Sequence, residues 1–241
     1  SNMEVVYPSM VMDVSGVLHL AFGVRDTVSG KGTVYYSRCN SAACHVQSSW
    51  SPATRILSSA VDETTGANSR WKYKLVRPKI ATSSNQGFVH ILFDDAEVNI
   101  LSRLNGIFHR YCSIHSNCNA VLNWQSVSKG VDITQGLGLG YARDPFIAGD
   151  EYGNVHAAWV DSPPFTPSAT VLNYSRYNFA NGSLAWRDAH ALASVSDLTF
   201  PVIAYSDDTL TAIATRDGRS VSGYRCTGST CFNTSSLNTA W

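Results

Sequence analysis

The sequence predicts an all-β protein in which one antiparallel sheet unit of about four strands is repeated about four times around an axis. Three observations carry that prediction: four prolines head the same pattern, an apolar run follows each, and a tryptophan closes each copy. The opening segments are Pro8-Ser-Met-Val-Met-Asp-Val-Ser-Gly16, Pro78-Lys-Ile-Ala-Thr-Ser-Ser-Asn-Gln-Gly87, Pro145-Phe-Ile-Ala-Gly-Asp-Glu-Tyr-Gly153 and Pro201-Val-Ile-Ala-Tyr-Ser-Asp-Asp-Thr209. Proline suits a first strand residue, where its missing N–H breaks no ladder bond. After the turn come Val17-Leu-His-Leu-Ala-Phe22, Phe88-Val-His-Ile-Leu-Phe93, Asn154-Val-His-Ala-Ala-Trp159 and Leu210-Thr-Ala-Ile-Ala-Thr215. A third run follows a variable loop: Val34-Tyr-Tyr-Ser-Arg38, Ile107-Phe-His-Arg-Tyr111, Leu172-Asn-Tyr-Ser-Arg176 and Val221-Ser-Gly-Tyr-Arg225. Trp50, Trp124, Trp186 and Trp241 end the copies.

These runs are short, rich in β-branched and aromatic residues, and bounded by Gly, Asp, Asn or Ser, which is strand chemistry with turn punctuation. No stretch carries a sustained 3.6-residue apolar period with caps, so helix should be scarce. Repetition of such a unit describes the blades of a β-propeller, with bounds near 8–77, 78–144, 145–200 and 201–241. A two-sheet sandwich would leave the four copies of one pattern unexplained. The last copy stops before a fourth strand, so Glu4-Val5-Val6 is expected to supply that edge and close the ring, residues 3–7 completing the last blade. Otherwise the ring is a fragment, or another copy completes it through the open edge. Residues 1–2 read as an expression remnant.

Composition bounds the partners. The 241 residues are 44% hydrophobic and 11% aromatic, enough for a sizeable core, and eighteen basic residues balance eighteen acidic ones. With no net charge and no charge runs, the field that draws proteins onto nucleic acid or anionic membranes is missing. No apolar run approaches the roughly 20 residues of a membrane span. Charged residues make up only 15%, and Ser, Thr and Asn cover the surface instead, a balance more common outside the cell.

The six cysteines fall as Cys39/Cys44, Cys112/Cys118 and Cys226/Cys231, each pair between a third run and its tryptophan; Tyr177 holds that place in the third copy. Placement in three separate repeats favours three local disulfides over a zinc site, which needs four ligands at one point. Disulfides imply an oxidising compartment, so the chain is expected to be secreted, periplasmic or at the cell surface.

In a four-stranded meander the second-to-third loops and the blade connections share one face, around the channel mouth. That face carries a recurring acid after the second run, Asp26, Asp94 with Asp95, Asp161 and Asp217, while Arg77, Arg143 and Asp144 stand beside the leading prolines. Converging carboxylates serve glycosidic cleavage, one as acid and one as nucleophile or base. They equally bind a cation, or sugar hydroxyls with help from Tyr7, Phe165 and Phe200. The plain alternative is that each Asp bonds its own turn. His19, His90 and His156 recur in one strand position and come from different sheets, so they are expected to be buried and bonded to neighbouring backbone rather than to a metal. The tryptophans are expected in the packing, and no further cofactor is implied. Asn173, Asn181 and Asn233 head glycosylation sequons. Gly136-Leu-Gly-Leu-Gly140 lacks the lysine of a phosphate loop, and no serine nucleophile elbow occurs.

The pattern Pro-x-Ile-Ala-x-x-x-x-Gly-x-Val-His-x-x-Trp, then Tyr-Ser-Arg, then Trp, resembles the blades of the sialidase-type, BNR-repeat β-propeller superfamily. Pro145 to Trp186 matches best, and the resemblance spans nearly the whole chain. It implies a propeller fold, which hosts sialidases, other glycosidases, lyases and lectins. Two departures bear on activity. Only Asn181-Gly-Ser-Leu-Ala-Trp186 resembles the Asp-box Ser-x-Asp-x-Gly-x-x-Trp, and it lacks the Asp. The Arg-Ile-Pro signature is missing, Arg77-Pro78 being its nearest echo. No catalytic residue carries over. The reading is an extracellular module that binds a glycan or other small ligand. A glycoside hydrolase or polysaccharide lyase is the second reading, and a scaffold that self-associates through an open edge the third.

Overall fold

The computed structural model describes residues 2–28, 32–40, 42–56, 77–83, 87–94, 107–125, 142–161, 170–177, 186, 190–195, 198–206, 209–216, 220–227 and 238–239. They form four separate antiparallel sheets, each a meander of strands in chain order. The first holds β1 (Met3–Met12), β2 (Leu18–Asp26), β3 (Gly32–Cys39) and β4 (Thr54–Arg55). The second holds β5 (Lys79–Ser83), β6 (Phe88–Asp94) and β7 (Ile107–Ser113). The third comprises β8 (Arg143–Gly149), β9 (Val155–Asp161), β10 (Thr170–Tyr177) and β11 (His190–Val195). The fourth comprises β12 (Leu198–Ser206), β13 (Thr209–Arg216), β14 (Ser220–Thr227) and β15 (Asn238–Thr239). Helix among the described residues is confined to single 3₁₀ turns at Gln47–Ser49 and Val121–Asn123.

Two details differ from the expected closure. Glu4, Val5 and Val6 pair with Arg25, Val24 and Gly23 of β2, so they lengthen the inner strand of the first sheet instead of closing the last. The last copy supplies its own short fourth strand, with Asn238 and Thr239 opposite Arg225 and Tyr224.

The turn between the first two strands is built by an acid and a glycine. In the first sheet the Asp13 carboxylate accepts from the N–H groups of Ser15 and Val17, at 2.9 Å each, and Gly16 turns the chain at φ 79°. In the third, the Asp150 carboxylate accepts from Tyr152 at 2.9 Å and Asn154 at 2.7 Å, with Gly153 at φ 87°. Such positive φ values suit glycine because it carries no Cβ.

The core lies between successive sheets. Ala21, Val34 and Tyr36 of the first pack on Val89, Ile91 and Phe93 of the second. Ala81, Leu92 and Ile107 of the second pack on Val155, Ala157 and Trp159 of the third. Ala158, Leu172 and Tyr174 of the third pack on Ile203, Leu210 and Ala212 of the fourth. A Cβ on Gly149 would collide with the Thr82 carbonyl, so the second and third sheets approach closely only because that residue is glycine.

The staples form where expected in two copies. Cys39–Cys44 and Cys112–Cys118 are disulfides with Cα separations of 5.8 and 5.9 Å. The indoles of Trp50 and Trp124 donate to the carbonyls of Cys44 (2.8 Å) and Cys118 (2.7 Å). Disulfide and tryptophan thus lock each third-strand exit together. The pair Cys226–Cys231 reaches outside the described residues.

Candidate functional site

Each sheet begins with an X-Pro step, and that step shapes the site. The ladder between the first two strands breaks between Val6 and Ser9, between Arg143 and Phe146, and between Thr199 and Val202, one bulge at each proline that lies within a strand; Pro78 precedes β5, whose ladder is unbroken. Proline cannot donate to the ladder, so the pairing slips there and re-aims the residue before it. Tyr7 and Asp144 consequently adopt φ of 51° and 54°. Left-handed backbone is costly for a non-glycine residue, and residues preceding proline favour extended backbone; such strain persists where the surroundings over-determine it.

The bulges face one depression of about 150 Å³. Tyr7 comes from the first sheet, Arg77 and Lys79 precede and open the second, Asp144 and Phe146 belong to the third, and Val202 to the fourth. All four sheets therefore meet at this mouth.

Arg77 organises its charge. One guanidinium nitrogen donates to the Asp94 carboxylate and another to the Asp144 carboxylate. Asp94 also accepts from the backbone N–H groups of Arg77 (3.1 Å) and Asp144 (3.2 Å), while Arg143 donates to Asp144 at 2.7 Å. The Asp94 side chain is fully buried and lies beneath the others. Burial pushes its pKa up from the ordinary carboxylate range, against the opposing pull of Arg77. Burial also disfavours the Arg77 charge, but Asp94 and Asp144 outweigh it, and the guanidinium titrates above its ordinary value. The Lys79 ammonium stands 5.8 Å from the Phe146 ring centroid, a cation–π distance. Among the described residues the depression itself is lined by two cations, Arg77 and Lys79, and one carboxylate, Asp144, with Asp94 beneath them.

The structure thus unites Arg77, Asp94, Arg143 and Asp144. It does not bring Asp26 and Asp161 to the depression. Asp26 accepts from the Val28 N–H of its own turn at 2.9 Å, and Asp161 ends β9 without lining the mouth. Asp95, Asp217 and Phe165 lie outside the described residues, as do the Phe200 side chain, Asn181, Asn233 and Gly136–Gly140. No group of three His, Cys, Asp or Glu among the described residues could hold a metal, and the Arg77 guanidinium occupies the place between the two acids that a cation would take. Lys79 and Phe146 escaped the sequence reading. Each directly follows its leading proline, as Val202 does, so the repeat alignment held the signal.

The histidines differ from expectation in their partners. All three are buried, but they bond side chains rather than backbone. His19 meets Asp13 at 3.0 Å and Tyr36 at 2.8 Å, and His156 meets Asp150 at 3.0 Å and Tyr174 at 2.7 Å. His90 meets Ser83 and His109, both at 3.1 Å. Asn173 is 1% exposed, which closes its sequon to glycosylation in the folded chain.

No family model matches the chain, and no curated protein matches it. Solved structures do. A Hadza microbial sialidase, Hz136, superposes with a TM-score of 0.65 at 12% identity over 92% of this chain and 44% of its own. A Bacillus megaterium levansucrase variant gives 0.62 at 12% identity, covering 99% and 70%. Zg3597, a family 117 glycoside hydrolase from Zobellia galactanivorans, gives 0.59 at 11% identity, covering 93% and 67%. The chain spans less than half the length of the sialidase. What it shares with all three is the fold: repeated antiparallel sheets packed in sequence as the blades of a propeller.

Proposed function

We propose that this chain is an extracellular propeller module that binds a saccharide at the mouth where its four sheets meet. The observation that carries the reading is the convergence of side chains from all four sheets on one depression, with the acids already clamped by Arg77. A sugar ring offers a face to stack on Tyr7, which is 44% exposed, and hydroxyls for Arg77 and Asp144. The Lys79 ammonium at the rim, which has no carboxylate partner among the described residues, favours a saccharide that carries a carboxylate or sulfate. The two disulfides support an oxidising compartment.

Binding fits this mouth better than hydrolysis. A glycosidase needs one protonated acid and one carboxylate facing the substrate. Here Asp94 has no exposed surface, and both acids bond one guanidinium. Calorimetric titration with neutral and acidic oligosaccharides tests the reading. Acidic ligands are expected to bind, with Lys79→Ala weakening them about tenfold, the loss of roughly one charge-assisted contact, and leaving neutral ligands unchanged. No heat with any saccharide at millimolar concentration would overturn it.

One observation favours the second reading, a glycoside hydrolase. Asp94 and Asp144 sit within one guanidinium's width, closer than an inverting pair requires and nearer the roughly 5 Å of a retaining pair. Release of chromophore from aryl glycosides that vanishes in Asp144→Asn would select it.

A further inference from the structure

The repeat makes one cross-strand pair directly comparable in three sheets. The last residue of the second run stands opposite the second residue of the third run: Phe22 opposite Tyr35, Phe93 opposite Phe108, and Trp159 opposite Asn173. Directly opposed residues share one face of a sheet, so their side chains are neighbours. In the first two sheets they meet as stacked rings, with centroids 5.8 and 5.6 Å apart. The third sheet sets an amide beside an indole instead.

That exception is buried. Trp159 is 0% exposed and Asn173 is 1% exposed. The indole Nε1 and both polar atoms of the Asn173 amide have no hydrogen-bond partner within the protein. A buried donor or acceptor left unpaired costs free energy that an apolar side chain does not. Phenylalanine at both places, as in the second sheet, would avoid that cost. The pair also leaves room. Tryptophan and asparagine together are smaller than two phenylalanines by the space of one liquid water, about 30 Å³. An indole N–H and an amide supply the two polar partners that a buried water needs at the least. Trp159 packs with Ala142 and Ile107, and Ile107 pairs with Asp94, so the place adjoins the strand end that carries the acid beneath Arg77.

We propose that Trp159 and Asn173 form a binding site for ordered water between the second and third sheets. The water accepts from the Trp159 indole N–H and donates to the Asn173 amide oxygen. It is taken in preference to a cation, because an indole N–H can only donate. The second and third sheets thus meet through a wet polar contact, whereas Phe93 and Phe108 give the first and second a dry aromatic one. The site is independent of saccharide binding at the mouth.

Nuclear Overhauser spectra between protein protons and water test the site, recorded in the laboratory and rotating frames so that true contacts are separated from proton exchange. In the wild type, the Trp159 indole proton is expected to show a contact to the water signal with the sign of a long-lived, protein-bound molecule. Trp159→Phe assigns that peak by removing it. The Asn173 amide protons should show the same contact. Trp124, whose indole donates to the Cys118 carbonyl at 2.7 Å, should show none. Asn173→Leu fills the place with an apolar side chain and is expected to abolish the Trp159 contact, cooperative melting establishing that the variant folds. No water contact at Trp159 in the wild type would overturn the proposal by itself. So would a contact that survives Asn173→Leu, or one equally strong at Trp124.

Discussion

The first and third sheets solve with an acid a problem that the second solves without one. In all three, a histidine in the second strand is buried under the next sheet. In the first and third, the tyrosine hydroxyl donates to Nδ1, which leaves the Nε2 proton for Asp13 or Asp150. Burial lowers the pKa of His19 and His156, and each aspartate pulls it back part of the way. The second sheet has Ser83 where the acid would stand. There the Trp186 indole, which can only donate, gives its proton to His109 Nδ1 at 3.2 Å. His109 Nε2 then donates to His90 Nδ1, and His90 Nε2 to Ser83. Burial pushes His90 down to about 3 and His109 well below the ordinary histidine value, with each other's proximity adding to the latter. One fold position therefore accepts two electrostatic solutions, and only one of them tolerates a proton.

The sharpest way to break this comparison is to remove an acid. Asp150 is 2% exposed and accepts from Tyr152, Asn154 and His156. Asp150→Ala is expected to cost about 3–5 kcal/mol in urea unfolding at neutral pH, because it strands several buried donors. A loss under 1 kcal/mol would show that the acid does not organise its sheet.

Acid titration follows. A histidine whose folded pKa is depressed is neutral in the fold and charges on unfolding, so its contribution is complete above about pH 6.5 and is lost as pH falls. For His90 that loss reaches roughly 2–3 kcal/mol by pH 4.5. Asp13 and Asp150 are opposed by burial, yet their bonds to His19 and His156 and to backbone N–H groups hold them below the ordinary carboxylate value. Their contribution is therefore present above about pH 4 and disappears below it. Ser83→Asp should supply the missing acid and flatten the decline between pH 6.5 and 4.5, measured by urea midpoints across that range. An unchanged decline would mean that His90 is not its source.

Smaller effects sharpen the contrast. Opening the Cys39–Cys44 loop as a double serine variant should cost about 2 kcal/mol. Trp186→Phe removes the donor that sets the His109 tautomer and should cost about 1 kcal/mol. In the nitrogen shifts of the imidazoles, it should redistribute the protons of His109 and His90 while His19 and His156 keep theirs.

Much of the fold was legible because repetition exposes strand chemistry: Pro8, Pro145 and Pro201 stand in the first strand of a sheet, and Pro78 immediately precedes one. The local disulfides were legible from their placement. The site was half legible, and register explains the other half. Asp94 lies one residue past Phe93, whereas Asp161 lies two past Trp159 and Asp26 four past Phe22. Successive strand residues point to opposite faces, so offsets of one residue for Asp161 and three for Asp26 turn them to the face opposite that of Asp94, which lies beneath Arg77. The histidine partners were hidden for another reason. Asp13 and Asp150 read as turn residues, and nothing local signals that one oxygen serves the turn while the other serves a buried imidazole.

Backbone nitrogen–proton NMR spectra, recorded while a uronate-bearing oligosaccharide is titrated into the protein, test the central claim most directly. The account predicts shifts that grow to saturation at Tyr7, Arg77, Lys79, Phe146 and Val202, drawn from all four sheets. Shifts confined to another surface, or none at millimolar ligand, would contradict it.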